Sequence, residues 1–253
     1  MNASVPELAA QSAANAFVRC RRRLRIAFAL ASLCASVAGA AVVGRGMDEY
    51  KFDDSDRIAA ADRFPPWAEM MERRAHEAFS LEGCVSSSSS CTPSMRGARM
   101  VVLRGRSLAP AEQLQLVNRF VNRRRYTAQS LGTRWETPAA FLKNGGDCED
   151  YAVTKYFLLR AMGVPAEHLR VVVGRTRHHS AHHALLAVRT ANSAIGAKSA
   201  NNAISAKSAN NVLLLDTDDR LLSGDRRGDY LYLYSINEVS LWDHAGHSLS
   251  AKL

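Results

Sequence analysis

The chain has 253 residues, 47% of them hydrophobic and 23% charged, and carries a formal net charge of +9. That supplies a real core for one domain of ordinary size and excludes a chain disordered throughout. Arg19, Arg21, Arg22, Arg23 and Arg25 lie in the first 40 residues against one acid, Glu7, so the remainder is only mildly basic; without a basic patch interleaved with aromatics, no nucleic-acid partner is expected.

The arginine cluster is followed by IAFALASLCASVAGAAVV, residues 26–43, which contains Ala38-Gly39-Ala40. A positive n-region, an apolar h-region and an A-x-A-like exit are the layout of a secretory signal, so residues 1–40 read as a signal peptide and the mature protein as exported. A retained N-terminal membrane anchor is the second reading, because the apolar run is close to spanning length. Export would leave Cys84, Cys91 and Cys148. Cys84 and Cys91 bracket VSSSSS, a low-complexity loop able to bring its ends together, and an oxidising compartment would join them as a disulfide. Cys148 is then the odd cysteine: a reactive thiol, or a small buried hydrophobe. Three reduced, structural thiols are the alternative.

Residues 41–100 read as a helical and loop region with a Ser-rich segment. Its stretch RIAAADRFPPWAEMMERRAHEAF suggests helices broken at Pro65-Pro66, with Trp67, Met70 and Met71 facing inward. Residues 101–253 read as the main core. A helix from Pro110 to Tyr126 is expected to bury Leu114, Val117, Phe120 and Val121, and Trp135-Glu136-Thr137-Pro138 opens a short helix.

The segment NGGDCEDYAVTKYFLLRAMG, residues 144–163, reads as a loop delivering Cys148 onto the first turn of a buried helix. Gly145 and Gly146 allow a tight approach, Asp147 is an N-cap residue, Asp150 completes a capping box, and Gly163 before Val164-Pro165 is a stop. A helix start favours thiolate over thiol, and the thiolate is the nucleophile.

Beyond Pro165 the period changes. Residues 169–175, 184–190, 212–217 and 230–235 are short β-rich runs bounded by polar loops, an antiparallel sheet, so the fold class is α+β. His183 stands immediately before the second run and Asp216 near the end of the third. Between them AIGAKSANN, 194–202, is repeated at once as AISAKSANN, 203–211. Two copies are too few for a solenoid, and a hairpin carries such a solvated loop insert at modest cost.

Cys148, His183 and Asp216 are the parts of a Cys-His-Asp site: nucleophile, proton acceptor and the carboxylate that orients it. The neighbouring His178, His179 and His182 read as a polar loop, with His182 the alternative to His183 in the triad. W-x-T-P (135–138), GDCEDYAVTKYFLLRAMGVP (146–165), LRVV (169–172), HALLAVRT (183–190) and LLLD (213–216) closely resemble the bacterial transglutaminase-like cysteine proteinases, the LapG-type periplasmic proteases. The resemblance implies a papain/transglutaminase-like fold, with the nucleophile on a central helix packed on an antiparallel sheet, and gives Cys148, His183 and Asp216 the triad roles. It implies a cysteine endopeptidase of the periplasm that cleaves the N-terminal region of a large surface adhesin and so controls biofilm attachment, held by an inner-membrane receptor for cyclic di-GMP. It also implies calcium, with Asp147, Glu149 and Asp150 as the ligands; helix capping explains the same acids without metal. This chain departs from the family pattern in lacking an acid within TAQSLGTR, 127–134, in Thr217 after Asp216, in the histidine cluster and in the tandem insert. Two alternatives remain: a transferase or peptidoglycan amidase using the same triad, and a non-catalytic binding module.

Overall fold

Seven strands among the described residues form one antiparallel sheet: β1 (Asp56–Ala60), β2 (Leu169–Thr176), β3 (His182–Arg189), β4 (Val212–Leu215), β5 (Leu221–Ser223), β6 (Tyr230–Ile236) and β7 (Ser240–Asp243). Their order across it is β1-β7-β6-β2-β3-β4-β5. The helices precede it in sequence, apart from β1: α1 (Pro65–Ala75), α2 (Leu81–Ser86), α3 (Arg96–Gly105), α4 (Pro110–Asn122), α5 (Pro138–Asn144) and α6 (Cys148–Met162). This computed structural model describes residues 52, 56–128, 134–176, 182–190, 211–218, 221–223 and 230–244. The signal-like segment 1–40, the repeat up to residue 210, and His178 and His179 lie outside the described residues. No described helix is long and apolar enough to cross a membrane.

The helix that carries Cys148, α6, is the centre of the core. Thirteen of its fifteen residues are buried, and it packs on β2 and β3 from one side and on α3, α4 and α5 from the other. Period-2 alternation divides the strands between two cores. Leu169, Val171, Val173, Ala184, Leu186, Val188, Leu213 and Leu215 face the helices. Val172, Leu185, Ala187, Val212, Leu214 and Tyr232 form a second cluster on the opposite face with Phe52. Trp67 anchors the helix side, its ring against those of Trp135, Tyr156 and Phe157.

Several boundaries differ from the sequence reading. The stretch before Pro65 forms no α-helix: residues 56–60 form edge strand β1, paired with β7 through a register shift between Arg57 and Ala59, and Ala61–Arg63 make a single 3₁₀ turn. The prolines begin α1 instead of breaking a helix, because a first-turn Pro lacks only an N–H that has no intrahelical partner anyway. Met71 is half-buried, unlike Trp67 and Met70. Helix α4 ends at Asn122, four residues early, which frees Tyr126 to bridge Gly146 in parallel. Phe120 is half-buried beneath the Arg124 guanidinium, 4.6 Å from its ring centre. His183 lies within β3, and Asp216 lies one position past β4.

The tandem insert falls between β3 and β4, which pair from Leu186↔Leu215 to Arg189↔Val212. Thr190 closes its base, donating from N and Oγ1 to the Asn211 carbonyl at 2.7 and 3.0 Å. Cys84 and Cys91 are disulfide-bonded. Reduction should lower unfolding stability by about 2–3 kcal/mol, the loop-closure value for so short a loop. Urea midpoints with and without reductant measure this; equal midpoints would contradict it.

Candidate active site

Local chemistry presents Cys148 on the first residue of α6. Gly145 adopts φ 78°, and a Cβ there would stand 2.1 Å from the Arg125 carbonyl oxygen; a Cβ on Gly146 would stand 2.2 Å from Asp150 Oδ2. Glycine is therefore required at both positions, once for conformation and once for space. Gly146 N–H donates to the Arg125 carbonyl at 3.3 Å and Thr127 N–H donates to the Gly146 carbonyl at 2.9 Å, so the two segments run side by side into the helix. Asp150 then secures the turn. Its Oδ2 accepts Asp147 N–H at 3.0 Å and its Oδ1 accepts Glu136 N–H at 2.6 Å, which ties WETP to the loop before Cys148. At the far end Gly163, φ 102°, closes the helix in the left-handed region. Gly146→Ala should displace the Asp150 carboxylate and cost about 2 kcal/mol or more of stability, read as a lowered urea midpoint; an unchanged midpoint would contradict this contact.

His183, the second residue of β3, meets Asp216, just past β4. His183 Nε2 and Asp216 Oδ1 are 2.6 Å apart. The same Oδ1 accepts Thr217 N–H at 2.6 Å and Thr217 Oγ1–H at 3.3 Å, while Oδ2 accepts the Tyr230 hydroxyl at 2.6 Å. Burial alone would raise the Asp216 carboxyl; the bond and charge of His183 and the hydroxyl of Tyr230 hold it well below the usual range. The main chain of Asp216 is gripped separately. Its carbonyl accepts from buried Lys155 Nζ on α6 and from Asn122 Nδ2 on α4, the latter at 3.1 Å. Tyr230, Lys155 and Asn122 had no functional role in the sequence reading.

Cys148 stands on the helix side of the sheet, at the first residue of α6. The β3–β4 ladder stops at Leu186↔Leu215, and the Ala184 amide, adjacent to His183, favours the charged form of the Cys148 sulfur. The thiol itself donates to Glu149 Oε2 at 2.9 Å. This overturns the expected thiolate. Burial first, and then the Glu149 carboxylate, push the Cys148 thiol far up, outweighing what the helix start offers.

Asp147, Glu149 and Asp150 crowd the same turn, where burial and then Asp150 and Glu149 raise Asp147 to about 7. Such a group favours the fold when neutral. Its contribution is complete below the unfolded-state value of about 4 and is lost as pH rises toward 7. In chelator, Asp147→Asn should therefore gain stability relative to the parent chain between pH 4 and 7, with the cap retained. Paired urea melts measure the difference; one independent of pH would contradict it. As calcium donors, Asp147 and Glu149 are suitable hard oxygens. The Asp150 oxygens each accept one backbone amide, which leaves a further lone pair on each. Among the described residues no three His, Cys, Asp or Glu side chains are gathered as a ready metal site. His182 is exposed at the start of β3, paired with Arg175.

Known structures share this architecture. Calcium-bound LapG of Legionella pneumophila matches with a TM-score of 0.53 and 25% identity, over 67% of this chain and 92% of that one. A second LapG structure from the same organism matches at 0.50 and 24%, over 68% and 90%, and an EGTA-treated one at 0.51 and 23%, over 68% and 86%; these two bear on fold alone. No curated protein matches the chain. Residues 74–211, more than half of the chain, match the family described as bacterial transglutaminase-like cysteine proteinase BTLCP, and the chain belongs to that family of cysteine proteases.

Proposed function

We propose that the protein is a periplasmic, calcium-dependent endopeptidase that cuts the N-terminal region of a large surface adhesin and thereby controls biofilm attachment. The observation that supports the catalytic part is the 2.6 Å His183–Asp216 pair, with the next amide of β3, that of Ala184, favouring the charged form of the Cys148 sulfur. Cys148 is the nucleophile. His183 accepts its proton through Nδ1, since Nε2 is engaged by Asp216, and Asp216 fixes the ring and stabilises the imidazolium. The sulfur adds to the peptide carbonyl, and the Cys148 amide at the helix start is suited to receive the developing oxyanion. Collapse of that intermediate breaks the C–N bond, with His183 returning its proton to the leaving amine. Water then hydrolyses the thioester.

The thiol must first turn away from Glu149, whose charge opposes ionisation. A calcium ion on Asp147 and Glu149 would offset that charge. The calcium-bound LapG structure supports including the metal, as does the crowding of acids at this turn. Substrate, compartment and an inner-membrane cyclic di-GMP receptor as regulator rest on the family resemblance. The test is cleavage of an adhesin N-terminal fragment containing a paired-alanine site, with calcium and with chelator. Cleavage that chelation stops is expected; cleavage indifferent to chelation would remove the metal, and no cleavage would remove the adhesin.

A further inference from the structure

Strand β6 contains Tyr230, Tyr232 and Tyr234, which strict alternation would place on one face of the sheet. They are not on one face. The β2–β6 register shifts between Val173, opposite Tyr234, and Gly174, opposite Tyr232, so Leu233 is an extra residue. This bulge sends Tyr234 into the helix-side core against Phe64, while Tyr230 and Tyr232 turn to the other face. Gly174 makes the close approach feasible, since a Cβ there would stand 2.7 Å from the Leu231 carbonyl oxygen. Gly174 is also the β2 partner of His183. The bulge therefore delivers Tyr230 to the catalytic pair, where its ring stacks on the imidazole at 5.8 Å and 14°, and its hydroxyl donates to Asp216 Oδ2 at 2.6 Å.

We infer that Tyr230 is a positioning residue of this protease: it grips the carboxylate that orients His183 and also backs the imidazole ring. This rests on the triad assignment above. Lys155 and Asn122 fix the Asp216 main chain but leave its side chain free to turn about χ1 and χ2. Thr217 holds only Oδ1. Tyr230 bonds Oδ2 and packs its ring on His183, so it couples the orientations of the two side chains. It also shares the carboxylate's charge with the imidazole, so the hydroxyl affects the strength of the His–Asp hydrogen bond and not only its geometry.

The full chain labelled with ¹⁵N-histidine, with Tyr230→Phe and Tyr230→Leu beside it, tests this. In the parent chain the His183 Nε2 proton should resonate downfield in its bond to Asp216. Tyr230→Phe keeps the ring and removes the competing donor, so that signal should move further downfield; Tyr230→Leu should broaden it away. A signal unchanged in both variants, with folding intact by circular dichroism, would overturn the inference. In the cleavage assay Tyr230→Phe should lower kcat about tenfold with KM unchanged, the worth of a bond to a charged group that acts on the transition state alone. Equal losses in kcat and melting temperature, with the histidine signal unmoved, would mean a merely structural tyrosine. The histidine signal needs no substrate. If the parent chain failed to cleave, the protease reading would fall while the positioning of His183 by Tyr230 was still decided.

Discussion

Cys148→Ala is expected to lose cleavage by at least about 10³-fold while the protein stays folded. The side chain is small and almost fully buried, and Ala keeps the helix start, the capping box and the packing of Tyr151, Ala152 and Val153 behind it. What disappears is the atom that forms the acyl intermediate in this scheme. The substitution also removes the thiol that donates to Glu149, so the carboxylate loses one partner and any stability change should be small beside the loss of activity. Cleavage assays and thermal melts of the two proteins separate these effects. Retained cleavage would end the nucleophile assignment, whatever the family.

The second large effect is expected from Asp216→Asn, about 10³ to 10⁴-fold in kcat with little change in KM. An amide fits the same space: its oxygen can still accept from His183 Nε2 and the Thr217 amide, and its NH₂ can face the Tyr230 oxygen. Geometry is therefore largely preserved. The charge is not, and the imidazolium formed when His183 takes the thiol proton loses its counter-ion. Because the Asp216 carboxyl is held below its usual range, its ionised form also stabilises the fold. That contribution is present above the unfolded-state value and is lost as pH falls through the folded one, so the Asn variant should lack part of the parent's acid-side loss of stability. A loss of kcat below tenfold would show that His183 does not depend on this carboxylate.

The features legible in the sequence are those set by local chemistry. Gly-Gly-Asp-Cys-Glu-Asp followed by an apolar run dictates a capped helix start at Cys148, and Gly163 before Val164-Pro165 dictates its end; both stand where the spacing puts them. His183 and Asp216 were legible as a pair because only a polar duplication separates their strands, and β3 and β4 do pair across it. Non-local features were hidden. Strand β1 pairs with β7 almost the whole chain away, so Asp56–Ala60 carries no local mark of its partner. Lys155 inside a buried helix reads as a solvated position until the Asp216 carbonyl is seen above it. The β6 bulge depends on Gly174 in another strand, and without it the tyrosine run is a plain alternation. The thiolate expectation failed for a similar reason: helix position is visible in the sequence, but the side-chain direction that puts Glu149 Oε2 on the sulfur is not.

The most direct measurement of the central claim is chemical capture of the nucleophile. A short substrate-derived peptide carrying a thiol-reactive vinyl sulfone in place of the scissile carbonyl is incubated with the protein, which is then digested and mapped by mass spectrometry. Cys84 and Cys91 are bonded to each other, so among the described residues Cys148 is the one free thiol. The account predicts a single adduct on Cys148, formed in step with loss of cleavage, prevented by substrate and slowed in Asp216→Asn. Loss of cleavage with Cys148 unmodified, or full modification of Cys148 with cleavage intact, would contradict it.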